Sequence, residues 1–128
     1  MNRKRILLAT GDLPIAGITK LLLEHEGFEV VTATDGEETL QHAQADGTVA
    51  LILLDLGIPT LNGFQVCKRL KANPSVSKIP IIVFTTSTHW SRLEEWGTEL
   101  GITDWLKKPF LPQELIEKVR NALGNSRI

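Results

Sequence analysis

Leu51-Ile52-Leu53-Leu54-Asp55-Leu56-Gly57-Ile58-Pro59 decides the reading of this chain. An aliphatic run stops on a single carboxylate, and a Gly and a Pro signal a turn directly after it. A run without polar alternation is what a strand buried on both faces of a parallel sheet requires. Asp55 then stands at the C-terminal tip of that strand, the edge where open α/β sheets bind ligands.

Two other segments end in the same way. Pro80-Ile81-Ile82-Val83-Phe84 ends on Thr85, and Ile102-Thr103-Asp104-Trp105-Leu106 runs into Lys107-Lys108-Pro109. As parallel neighbours these strands bring an Asp, a Thr and a Lys to one edge. That trio suits a carboxylate that accepts a phosphoryl group, because phosphoryl transfer rests on positioning and on charge stabilisation of the equatorial oxygens. Lys108 supplies a point charge on a long stem, and Thr85 a short, stiff hydroxyl donor.

Strand and helix alternate along the whole chain. Residues 6–9, 28–33, 49–54, 79–84 and 102–106 read as strands, and 15–26, 63–71, 91–100 and 112–123 as helices, with one more opening at Asp35-Gly36-Glu37-Glu38. In the first helix Ile15, Ile18, Leu21 and Leu22 form a stripe, and Gly27 ends it. Asp35 is the expected N-cap of the second, with Glu38 placed as in a capping box. Asn62 caps the third, Asn73-Pro74 ends it, and Gly101 closes the fourth. In the last helix Leu115, Ile116, Val119, Ala122 and Leu123 share a face, and Glu114 is spaced to pair with Lys118. Glu29 and Thr32 mark the second strand as an edge. Such repeats imply a parallel sheet covered by helices on both faces. No linker, low-complexity tract or repeat divides the 128 residues, which read as one domain (1–128) with its core at about 4–123 and a short tail, 124–128.

Hydrophobic residues make up 42% of the chain and charged ones 23%, both ordinary for a globular domain. A net charge of -1 argues against a nucleic-acid footprint or an anionic-membrane surface. No apolar run reaches membrane-spanning length. The basic start Met1-Asn2-Arg3-Lys4-Arg5 precedes an apolar stretch too short for a secretory signal. Cys67, the one cysteine, excludes an internal disulfide and fits a reducing cytoplasm.

Taken in order, Ile6-Leu7-Leu8, Gly27-Phe28-Glu29-Val30, Asp35-Gly36-Glu37-Glu38, Leu53-Leu54-Asp55, Pro59, Gly63-Phe64, Ile79-Pro80, Thr85 and Lys108-Pro109-Phe110 give the chain its closest likeness. It resembles the receiver (response-regulator) domain of two-component and phosphorelay signalling, from about Lys4 to Leu123. The resemblance implies a flavodoxin-like, doubly wound five-stranded parallel sheet in the order 2-1-3-4-5. It implies Asp55 as the phosphoacceptor for a histidine kinase or histidine phosphotransferase. Thr85 and Lys108 become phosphate-site residues, the Gly57 backbone carbonyl a magnesium ligand beside Asp55, and Trp105 the switch aromatic. The peptide before Pro109 is often cis in this family and fixes the direction of Lys108. The function implied is a cytoplasmic, stand-alone, non-enzymatic regulator that signals through protein contacts, without touching nucleic acid or membrane directly. Its partner face is built from the fourth helix, the fifth strand and the last helix. Trp90, Trp96 and Trp105 fall there, and Trp is enriched at binding hot spots; Trp96 also has a packing reading against the sheet.

One feature departs from the family. The two acidic residues that usually follow the first strand and help hold magnesium are here Thr10 and Gly11, with Asp12 one place later. Asp55 and Lys108 roughly neutralise each other, and magnesium needs carboxylate ligands to stay bound, so weak metal binding is expected. Two readings stay open. Asp12 or water substitutes and Asp55 is still phosphorylated, or the chain is a degenerate, phosphorylation-independent interaction module. Asp12 reads equally as a plain N-cap. His25, His42 and His89 lack metal-ligand spacing, and Cys67 beside Val66 reads as packed. A haloacid-dehalogenase-type phosphatase needs a second Asp where Gly57 stands. As a flavodoxin phosphate loop Ala9-Thr10-Gly11-Asp12 would repel its phosphate through Asp12, and no G-x-G-x-x-G opens the first helix.

Overall fold

Five parallel strands, numbered along the chain, form one sheet in the expected order 2-1-3-4-5. They are β1 (Arg5–Ala9), β2 (Glu29–Ala33), β3 (Val49–Asp55), β4 (Ile81–Thr85) and β5 (Asp104–Lys107). The computed structural model describes residues 3–45, 47–86, 97 and 99–124. Four helices lie wholly within them: α1 (Leu13–His25), α2 (Gly36–Ala45), α3 (Gly63–Ala72) and α4 (Pro112–Ala122). Gly97, Glu99 and Leu100 are helical too, but the rest of the helix expected over 91–100 lies outside the described residues, as do His89, Trp90 and Trp96.

The aliphatic run of β3 explains the two-sided packing. Ile52 and Leu54 face a core completed by Leu40 and Ala43 of α2 and by Val66, Cys67 and Leu70 of α3. Leu51 and Leu53 face the other, completed by Leu23 of α1 and by Leu115 and Val119 of α4. All four β3 residues are fully buried. On the β2 edge, exposed Glu29 pairs with Arg5 at 3.2 Å.

The helix starts follow from side-chain caps that satisfy otherwise orphaned amides. Asp12 Oδ1 accepts from the Ile15 N–H at 3.2 Å. Asp35 Oδ1 accepts from the Glu38 N–H at 2.8 Å. The Glu38 carboxylate does not reach back to the cap itself: it accepts from the Thr34 N–H at 2.7 Å, which holds it below its ordinary pKa. Asn62 and Gln65 form a full capping box on α3.

Three expectations need correction. The buried residues of α1 are Thr19 and Leu23, whereas Ile18 and Leu21 are 61% and 68% exposed. Lys118 pairs with Asp104 of β5 at 3.1 Å, not with Glu114, because α4 lies against that strand. Ile102 and Thr103 precede β5 rather than open it: their N–H groups donate to the Gly97 and Ile81 carbonyls.

Candidate functional site

Strand register assembles the site. Asp55 lies opposite Phe84, so Thr85 stands one step further along the same edge. Thr85 lies opposite Lys107, which puts Lys108 just beyond the tip of β5. There the Lys108 N–H donates to the Thr85 carbonyl at 2.7 Å, and the Lys108–Pro109 peptide is cis. The Lys108 ammonium lies 3.1 Å from Asp55 Oδ2 and 5.3 Å from the centroid of the Phe84 ring. Asp55 and Thr85 are both buried, so this ion pair acts where water screens it little.

Thr10 is the residue whose part the sequence reading missed. In the sequence it stands only where the family's acid is missing. Ala9 lies opposite Leu54 across the β1–β3 pair, which sets the next residue of each strand side by side. The Thr10 hydroxyl, 1% exposed with its residue, donates to Asp55 Oδ2 at 2.8 Å. The Asp12 N–H donates to Thr10 Oγ1 at 3.1 Å, which commits the hydroxyl proton to Asp55. Only the register of β1 against β3, a feature of the folded sheet, brings Thr10 to Asp55.

Gly57 also touches Asp55 through its backbone. Its N–H donates to Asp55 Oδ1 at 3.0 Å, so the contact seen is through the amide. Asp55 therefore accepts from a hydroxyl, an ammonium and an amide.

The residues present do not fit the magnesium ion that the family resemblance implies. Asp12 is exposed and its carboxylate caps α1. Among the described residues, no three His, Cys, Asp or Glu groups converge on a common point. At Gly11 a Cβ would lie 3.0 Å from Pro59 Cδ and 3.3 Å from the Thr34 carbonyl oxygen, so even a short side chain would be crowded there.

Trp105 is half-buried and packs on the core shared with α2 and α3. Its indole lies against Gly97, where a Cβ would come within 2.9 Å of Trp105 Cζ2. Trp90 and Trp96 lie outside the described residues. Cys67 is buried in the same core as Trp105, and desolvation pushes its thiol up to about 12. Ile18, Leu21, Leu22, Glu24 and His25 line an open groove along α1.

The family model of the response regulator receiver domain matches residues 6–120. The chain is 36% identical to the alkaline phosphatase synthesis transcriptional regulatory protein PhoP of Bacillus subtilis, a match covering 100% of this chain and 51% of that protein. The chain spans about half the length of the curated relatives it matches. A putative response regulator from Chloroflexus aurantiacus has the same fold, with a TM-score of 0.89, 32% identity, and coverage of 96% of this chain and 99% of that one. The receiver domain of a Pseudomonas aeruginosa sensor histidine kinase, solved with magnesium in its active site cleft, superposes with a TM-score of 0.86 at 24% identity. That match covers 96% of this chain and 99% of the other.

Proposed function

The chain belongs to the response regulator receiver domain family, and we propose that it receives a phosphoryl group on Asp55 from a histidine kinase or histidine phosphotransferase. The observation that carries this reading is the buried carboxylate at the tip of β3 with the Lys108 ammonium at 3.1 Å. In the transfer an Asp55 oxygen bonds to phosphorus as the phosphorus–nitrogen bond of the donor imidazole breaks. The nitrogen keeps the electron pair and is protonated by solvent. Lys108 then shifts its charge to the phosphoryl oxygens, and the Thr85 hydroxyl closes on them from the next strand tip. α1 starts just beyond this edge, with Asp12 as its N-cap, and its exposed Leu13, Ile18 and Leu21 offer a donor protein an apolar foothold.

In this reading Trp105 carries the change outward along β5, shifting a balance between two packings. A downstream protein docks on the face of residues 91–100, β5 and α4, with Trp90 and Trp96 among its contacts. In this reading residues 1–128 act as one cytoplasmic signalling domain rather than an enzyme with a turned-over substrate. It touches neither nucleic acid nor membrane directly. No described helix is long and apolar enough to cross a membrane.

Intact mass after incubation with a small acyl phosphodonor, and separately with a phosphorylated histidine phosphotransferase, tests the assignment. One phosphoryl group on the wild type and none on Asp55→Asn is expected. No uptake from either donor, with or without magnesium, overturns it. The second reading, a receiver-like module that signals by contacts alone, then takes its place. The three donors that already occupy Asp55 are the observation in that reading's favour.

A further inference from the structure

We infer that this site does not take a divalent cation, and that the Thr10 hydroxyl does the cation's work of holding the Asp55 carboxylate. The inference goes beyond the proposed function, and its test needs no phosphoryl transfer. Magnesium gives up its waters reluctantly and asks for near-octahedral oxygen ligands. What the site offers it is poor. Asp55 Oδ2 already accepts from Thr10 at 2.8 Å and Lys108 at 3.1 Å, and Oδ1 from Gly57 at 3.0 Å. A carboxylate has about four lone-pair sites, so most of its capacity is used.

The residues that follow β1 add no ligand, for separate reasons. The Thr10 oxygen faces the Asp12 N–H, and its proton is committed to Asp55. The Asp12 carboxylate is turned to the Ile15 amide. The space beside Gly11 is taken by the Pro59 ring and the Thr34 carbonyl. Charge adds to the mismatch. Asp55 and Lys108 cancel, so an incoming dication would leave its full charge uncompensated in a buried site. A neutral hydroxyl holds the carboxylate without that cost. Thr10 is thus a positioning residue, acting through Asp55.

Electron paramagnetic resonance of added manganese tests this directly by counting bound against free ion. Wild type and T10S are expected to show no Asp55-dependent binding at about 1 mM manganese. T10D/G11D is expected to bind at least about tenfold more tightly than wild type, a gain that a further Asp55→Asn removes. Saturable binding by the wild type in this range, abolished by Asp55→Asn, overturns the inference. Should crowding at Pro59 keep the double variant from folding, T10D alone is read the same way, since it needs no room at Gly11. A folded T10D that binds no more tightly than wild type overturns the assignment to Thr10. The hold of Thr10 on Asp55 is read separately: T10V is expected to shift the Asp55 carboxyl carbon resonance, which T10S leaves in place, and an unshifted resonance in T10V overturns the positioning role.

Discussion

At the scale of the residue, the centre is a buried carboxylate neutralised by one lysine and oriented by two neutral donors. Removing one donor should be felt. T10V keeps the volume but leaves Asp55 Oδ2 with Lys108 alone and the Asp12 N–H without its hydroxyl. We expect a loss of about 1–2 kcal/mol in urea unfolding, with T10S near wild type; equal stability of T10V and wild type would show that the bond contributes nothing. Asp55, Thr85 and Lys108 were legible in the sequence because each sits where a local apolar run ends. Thr10 was not, because its bond depends on the register of β1 against β3, a pairing between distant stretches of chain. Cys67 was read correctly as packed, and its titration gives a second prediction. Burial raises its thiol from 9.0 to about 12. The unfolded chain therefore loses this proton at lower pH than the folded one. The stabilisation is complete below pH 9 and fades as pH rises toward 12. A thiol-reactive dye at pH 8 should label Cys67 only as fast as the protein opens, and the urea midpoint should fall above pH 9. Rapid labelling of the native protein would contradict the packed assignment.

At the scale of the element, α1 is where periodicity misled. The run Ile18-Thr19-Lys20-Leu21-Leu22-Leu23 is apolar around much of the helix, so more than one stripe satisfies the 3.6-residue repeat. The structure buries Thr19 and Leu23, half-buries Ile15 and Leu22, and leaves Ile18 and Leu21 outside. Thr19, a polar residue, holds a buried place that a hydrophobic pattern passes over. In the proposed reading the excess apolar residues serve binding rather than the core. If α1 is the foothold of the phosphodonor protein, I18E/L21E should slow phosphoryl uptake from a histidine phosphotransferase by at least about tenfold. Uptake from a small acyl phosphodonor should be unchanged. Stability should move by no more than about 0.5 kcal/mol, since both side chains are exposed. Equal slowing with both donors would place the defect at Asp55 instead of at docking. The helix starts were more legible. Asp12, Asp35 and Asn62 all cap as their residue types suggest, because a cap is a local bond between a side chain and an amide three residues on.

At the scale of the whole molecule, one sheet separates two cores, and that arrangement was written into the strands. β1, β3 and β4 carry aliphatic residues at successive positions, which only a sheet covered on both faces can bury. Parallel strands joined by helices then leave few topologies. The strand order itself came from likeness to known receivers, since pattern alone does not say which strand lies beside which. Two cores divided by a sheet have a measurable consequence. Ile6 of β1 packs on the side of α1 and α4, and Ile81 of β4 on the side of α2 and α3, with β3 lying between those strands. The two side chains belong to different clusters, so the cavities left by trimming them should not communicate. I6V and I81V should each lower stability by about 0.5–1.5 kcal/mol. The double variant should lose their sum to within about 0.5 kcal/mol, at an unchanged denaturant slope. A coupling of 1 kcal/mol or more, on the order expected of residues in contact, would mean that strain crosses the sheet. The same mechanical connection would then link Trp105 on one face to the packing of α1 and α4 on the other.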